Sequence, residues 1–257
     1  MAFIKTAKKD FTYNEYITTI NKIVSKEGIT LVKIRKSDRY PGRHEGTTII
    51  SDPREPDHKL VYDYIKKKQQ LISNIDKKVL MPTPRNSFHL TLLGITYEAL
   101  HEKLLSEGRI DDAVKCVKSI IKTFKPIGFA PKMRIAGFTP FKDAIVAIMK
   151  PVDERSYQAL IDARKTIVDN KCISLFEMGL KSKAPAVFHI TTHYFVHDMD
   201  EVVRESLNAK LADMNSQLDL DSPTMNLSYF IYTEFHSLKR FKRMEGSSVL
   251  RFESEIL

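Results

Sequence analysis

The chain has 257 residues, 42% of them hydrophobic and 28% charged, enough to bury a sizeable core in one large domain or two closely packed lobes. No apolar run approaches the roughly 20 residues that span a bilayer, which excludes a membrane-spanning helix and predicts a soluble protein. The net charge of +9 at pH 7 favours polyanionic partners such as RNA or nucleotides, although charge alone does not choose among them.

Tyr13 to Lys26 carries Tyr16, Ile17, Ile20, Ile23 and Val24 at helical spacing, and Gly28 closes the pattern. Ile29 to Ile34 reads as a strand, Lys36 to Glu45 as a charged, turn-rich stretch, and Gly46 to Ser51 as extended chain again. After a polar break at Asp52 to Asp57, His58 to Ile75 fits a helix whose outer face at Lys66, Lys67 and Lys68 is solvated. Pro82 and Pro84 deliver the chain stiffly into a β-like run from Ser87 to Ile95. Tyr97 to Leu105 and Ile110 to Phe124 are helical in pattern, and Lys132 to Thr139 and Ala144 to Lys150 form two strands joined by a tight turn. Asp153 is placed to cap a further helix through Val168. A loop at Leu180 to Pro185 leads into a second β-like run, Val187 to Val196. A helix at Asp200 to Gln217 and strands around Leu227 to Phe235 and Val249 to Phe252 complete the chain.

Met1 to Asp10 lacks the apolar stretch of a secretory signal. Cys116 and Cys172 lie far apart, with no second Cys or His at zinc-finger spacing, and are expected to be reduced core thiols in a cytoplasmic protein. The order of elements predicts an α+β protein: one bilobal unit spanning residues 1–257, with antiparallel-rich sheets backed by helices on either side of a central cleft.

One tetrapeptide is spelled twice: Phe88, His89, Leu90, Thr91, and then Phe188, His189, Ile190, Thr191. Alternate side chains of a strand share a face, so His89 falls with Thr91 and His189 with Thr191, while Phe88, Leu90, Leu92, Phe188 and Ile190 point into a core. The chain holds only 8 His and 14 Phe, so such a repeat is improbable from composition. Two imidazoles facing each other across a cleft supply a general base and a general acid near neutral pH, and two threonine hydroxyls can donate to anionic oxygens. That set suits phosphoryl transfer without a metal. No Gly-x-Ser-x-Gly elbow supports a serine hydrolase; His189 and His193 on one strand face leave a metal site open as a lesser alternative, but no carboxylate falls within either motif strand to complete it. By alternation His193 shares the face of His189 and reads as a pocket-lining residue; Arg85, Tyr194 and Tyr232 are further candidates for phosphate or base contact.

His89, Leu90, Thr91 and Leu92 resemble the His-hydrophobic-Ser/Thr-hydrophobic motif of the 2H phosphoesterase superfamily at all four positions. His189, Ile190 and Thr191 match at three, with Thr192 in place of the usual apolar fourth residue. Pro41 to Ile50 and Pro84 to Leu92 further resemble a little-characterised microbial branch. The resemblance implies a bilobal fold, catalysis by His89 and His189 with Thr91 and Thr191 holding the phosphate, and no required metal or cofactor. Its implied substrates are RNA ends or nucleotides bearing 2′,3′-cyclic phosphates or 2′,5′ linkages, and a monomer is expected. The competing expectation is a non-catalytic protein that binds RNA or nucleotides in the same cleft.

Overall fold

The computed structural model describes residues 11–30, 32, 34, 45–141, 143–178, 187–218, 222–237, 240–246 and 249–253. The stretches predicted at Lys36 to Glu45, save Glu45 itself, and at Leu180 to Pro185 lie outside them.

Helix α1 (Tyr13–Val24) begins where Thr12 and Glu15 cap each other's backbone amides. It ends at Ser25, whose Oγ accepts from the amide of Gly28 and so starts a second short helix, α2 (Lys26–Thr30). The strand predicted from Ile29 is therefore helical at its first two residues, and Gly28 lies inside a helix instead of closing one. Strand β1 (Gly46–Ser51) follows, then a 3-10 turn at Pro56–His58 and helix α3 (Lys59–Ser73). A short β2 (Leu80–Pro82) precedes β3 (Thr91–Tyr97), α4 (Glu98–Ser106) and α5 (Ile110–Thr123). The hairpin β4 (Lys132–Phe141) and β5 (Ala144–Pro151) leads to α6 (Glu154–Val168), which Asp153 caps as expected. Then come α7 (Lys171–Leu175), β6 (His189–Phe195), α8 (Glu201–Ser216), β7 (Thr224–Asn226), β8 (Tyr229–Ser237), β9 (Arg240–Arg243) and β10 (Val249–Arg251).

The strands form two five-stranded sheets, antiparallel at every pairing. The first runs β10-β8-β1-β3 with β9 on β8, and the second runs β2-β6-β5-β4-β7. Each therefore carries one His-Thr motif. The connection is direct: β2 pairs with β6 through Pro82 and His193, and the same chain then crosses to the first sheet, where the carbonyl of Leu90 accepts from the amide of Ser51 at 2.9 Å. Gln69 on α3 fastens the crossing from beneath. Its buried amide nitrogen donates to the carbonyls of Thr83 (2.8 Å) and Thr192 (2.6 Å), and the Thr83 amide bonds the same Thr192 carbonyl at 2.8 Å. His58 makes a second tie, with Nδ1 near the carbonyl of Asp52 and Nε2 near that of Asn226 on β7.

The core is continuous across both sheets and includes Phe88, Leu90, Leu92, Phe138, Ile148, Phe188 and Ile190. Among the described residues no helix is long and apolar enough to cross a membrane. One expectation is overturned: Cys116 on α5 and Cys172 on α7 are joined in a disulfide and are not free thiols. Residues 56 apart in sequence give no local sign of meeting; the packing of α7 against α5 brings their Cα atoms to 6.1 Å.

Candidate active site

Both motifs alternate as their composition demands. Phe88, Leu90, Phe188 and Ile190 are at most 1% exposed, whereas His89, Thr91, His189 and Thr191 are partly open. The first motif enters its strand late, because Arg85–Ser87 forms a 3-10 turn and β3 begins only at Thr91.

The two histidines are held alike. His89 Nδ1 lies 2.7 Å from the carbonyl of Ser87, and His189 Nδ1 lies 2.8 Å from that of Val187. A carbonyl can only accept, so Nδ1 carries the hydrogen in both rings and Nε2 is left as the basic nitrogen. Each ring also has a phenylalanine beside it: Phe241 of β9 at 4.3 Å from His89, and Phe141 at the end of β4 at 5.2 Å from His189, centroid to centroid. Burial pushes the His89 pKa down to about 4; the bond to Ser87 opposes the shift and the nearby His189 adds to it. His189 is lowered by burial against the bond to Val187. Two neutral imidazoles thus stand close enough for a charge on one to disfavour a charge on the other.

The other candidates fall differently. Arg85 turns toward α3, where its guanidinium pairs with Asp63 (Nη2 2.7 Å, Nε 2.8 Å from Oδ1). Tyr194 is half-buried and pairs with Ala144, itself paired with Phe141, so it lies on the side of the ring that flanks His189. Tyr232 does not line the motif face: it is 1% exposed and pairs with Ile49, one residue out of phase with the Ile231, Ile50 and Thr91 row.

His193 is a correction with a clear cause. Val146 pairs with Thr191 and Ile145 with His193, so Thr192 is an extra residue, a β-bulge that reverses the alternation of the strand. His193 is consequently buried at 0% exposure, bonded to Ser73 Oγ (2.9 Å) and near Thr192 Oγ1 (3.1 Å), and burial drives its pKa to about 3. The Thr192 hydroxyl donates to the carbonyl of Ile145 at 2.9 Å, so the polar residue at the motif's apolar fourth position is satisfied within the bulge. Sequence reasoning missed Phe141, Phe241 and Gln69, for none of which the local pattern carries a signal.

Among the described residues, no cluster of three or more His, Cys, Asp or Glu is arranged to hold a metal ion. An open cavity of about 870 Å³ lies between the end of α5 and α6, lined by Phe124, Ile127 and Arg155 among others, and includes neither motif. A second, of about 650 Å³, borders the first motif through Asn86 and Phe241.

No family model and no curated protein matches the sequence. Solved structures do. ATU0111, a conserved protein of unknown function from Agrobacterium tumefaciens, aligns over 90% of this chain and 98% of its own with a TM-score of 0.63 and 18% identity. TT0787 of Thermus thermophilus aligns over 83% and 100% with a TM-score of 0.50 and 13% identity. LigT of E. coli, in complex with ATP, gives a TM-score of 0.42 at 11% identity over 83% and 100%. Identities this low speak to fold and leave the chemistry to the residues. The chain shares the fold of ATU0111 and TT0787, and in this chain the two linked antiparallel sheets carry one His-aliphatic-Thr triplet each.

Proposed function

We propose that this chain is a 2H-type phosphodiesterase acting on RNA ends or nucleotides with 2′,3′-cyclic phosphates or 2′,5′ linkages. The observation that carries the reading is the matched pair of imidazoles, each with Nδ1 committed to a backbone carbonyl and Nε2 left for proton transfer. For a cyclic phosphate, one histidine removes a proton from water as its oxygen bonds phosphorus. The bond from phosphorus to one ribose oxygen breaks, and the other histidine donates a proton to that oxygen. Thr91 and Thr191 hydroxyls donate to the non-bridging oxygens while charge shifts among them. No step requires a metal.

The working pair needs one protonated ring, and burial lowers the pKa of each histidine below its ordinary value, so that both are neutral in the free protein near pH 7. The bound phosphodiester, a monoanion, supplies the opposite charge that raises one of them. The test is incubation with 2′,3′-cyclic nucleotides and 2′,5′-linked dinucleotides in EDTA. Turnover lost on replacing either histidine supports the reading. Binding without turnover would support the competing reading of a nucleotide-binding protein.

A further inference from the structure

The cavity of about 650 Å³ beside the first motif combines an apolar wall with cations. Phe241, whose ring stands 4.3 Å from that of His89, forms part of its lining, and so do Asn86, Arg54, Lys242 and Arg243. Phe241, Lys242 and Arg243 are consecutive on β9, which pairs with β8 at the margin of the sheet that carries Thr91. The lining also holds two carboxylates, Asp52 and Glu234. Burial alone would raise the pKa of Asp52, but bonds from Arg54 (Nε and Nη2, each 3.0 Å) hold it below the usual carboxylate range. Glu234 faces His236 at 3.9 Å. With Arg54 paired to Asp52 and Lys242 opposite Glu234 in the strand pairing, the lining holds three cations against two carboxylates and keeps a net positive charge one aromatic ring away from a histidine of the site.

We infer that this hollow is the subsite for a second phosphate of the substrate, one nucleotide away from the phosphate that reacts. The inference rests on the phosphodiesterase reading above. A terminal nucleotide bearing a 2′,3′-cyclic phosphate can carry its next phosphate only on the 5′ side, as a 5′-phosphate or as the linkage to the preceding residue of an oligonucleotide. Lys242 and Arg243 supply charge and donors for that group, and Asn86 supplies an amide. The enzyme therefore selects nucleotides phosphorylated on the 5′ side over plain cyclic nucleosides, which makes RNA ends better substrates than cyclic mononucleotides.

The experiment compares kcat/KM for three substrates: a 2′,3′-cyclic mononucleotide, the same compound with a 5′-phosphate, and a dinucleotide ending in the cyclic phosphate. Wild-type protein should favour the second and third by about tenfold or more, the worth of one charge-assisted contact. The double variant Lys242→Glu and Arg243→Glu should bring both ratios to about one. Lys67→Glu on α3, a charge reversal on a helix outside this lining, should leave them unchanged. Equal kcat/KM for all three in the wild type, or ratios unmoved by the double variant, would overturn the subsite while leaving the phosphodiesterase intact. A gain confined to the dinucleotide would assign the hollow to the second nucleoside and overturn the phosphate assignment. Failure to turn over any of the three would instead overturn the enzymatic reading, and the subsite with it.

Discussion

His89 and His189 hold their Nδ1 atoms in the same way, 2.7 Å and 2.8 Å from the carbonyl of the residue two places earlier, Ser87 and Val187. A bond to the residue just before the tetrapeptide fixes each ring before any substrate arrives, and it selects the tautomer with Nε2 basic. The two rings are thus supported alike, each by the carbonyl of the residue that precedes its tetrapeptide.

The first prediction follows from the desolvation of these partly open rings. In the free protein, His89 should titrate near pH 4, and His189 below the ordinary value of 6.5. Inorganic phosphate should raise at least one of them by pairing its charge with the protonated ring. Proton NMR of the imidazole resonances, with and without phosphate, reads this directly; titration of both rings at 6.5 or above in the free protein would contradict it.

The same shifts make stability depend on pH. His89 and His193 have folded pKa values of about 4 and about 3, below the value near 6.5 in the unfolded chain. Between these limits the unfolded chain binds more protons, so stability is full above about pH 6.5 and falls as pH drops. Thermal unfolding at pH 7 and pH 5 should show a lower Tm at pH 5, and His193→Phe should reduce that difference if it folds.

A third prediction concerns Gln69, which bonds the carbonyls of Thr83 and Thr192 from a fully buried position. Gln69→Leu removes the donor and leaves the Thr83 carbonyl without it, at a cost of about 1–3 kcal/mol. Because the two carbonyls belong to the crossing toward the first motif and to the second motif strand, kcat should fall as well. Urea unfolding and steady-state kinetics check the two effects separately.

The Cys116–Cys172 bond closes a loop of 56 residues, and a cross-link of that size contributes about 2–4 kcal/mol. Cys116→Ser or reduction should lower the urea midpoint accordingly. A protein that reacts with two equivalents of a thiol reagent before any reduction would contradict the pairing.

Much of this arrangement was legible because it is local. The alternation of Phe88, His89, Leu90 and Thr91 predicts which side chains enter the core, and Asp153 announces the start of α6 by its own side chain. What escaped is set by contacts between distant residues. Thr192 becomes an extra residue only when β6 pairs with β5, and that bulge moves His193 from the site face into the core. The three-residue strands β2 and β7 are too short to show a period. Ser25 restarts a helix where Ile29 and its neighbours favour a strand, because its side chain bonds the Gly28 amide. Phe241 reaches His89 from 152 positions further along the chain, and no pattern within either segment foretells it.

The most direct test of the account is the turnover of a 2′,3′-cyclic nucleotide in EDTA by wild-type protein, His89→Ala and His189→Ala, each first shown to be folded by circular dichroism. Paired acid and base catalysis predicts measurable hydrolysis by the wild type and a loss of about a hundred- to ten-thousand-fold in kcat for each single variant. Wild-type turnover that survives either substitution unchanged would contradict it.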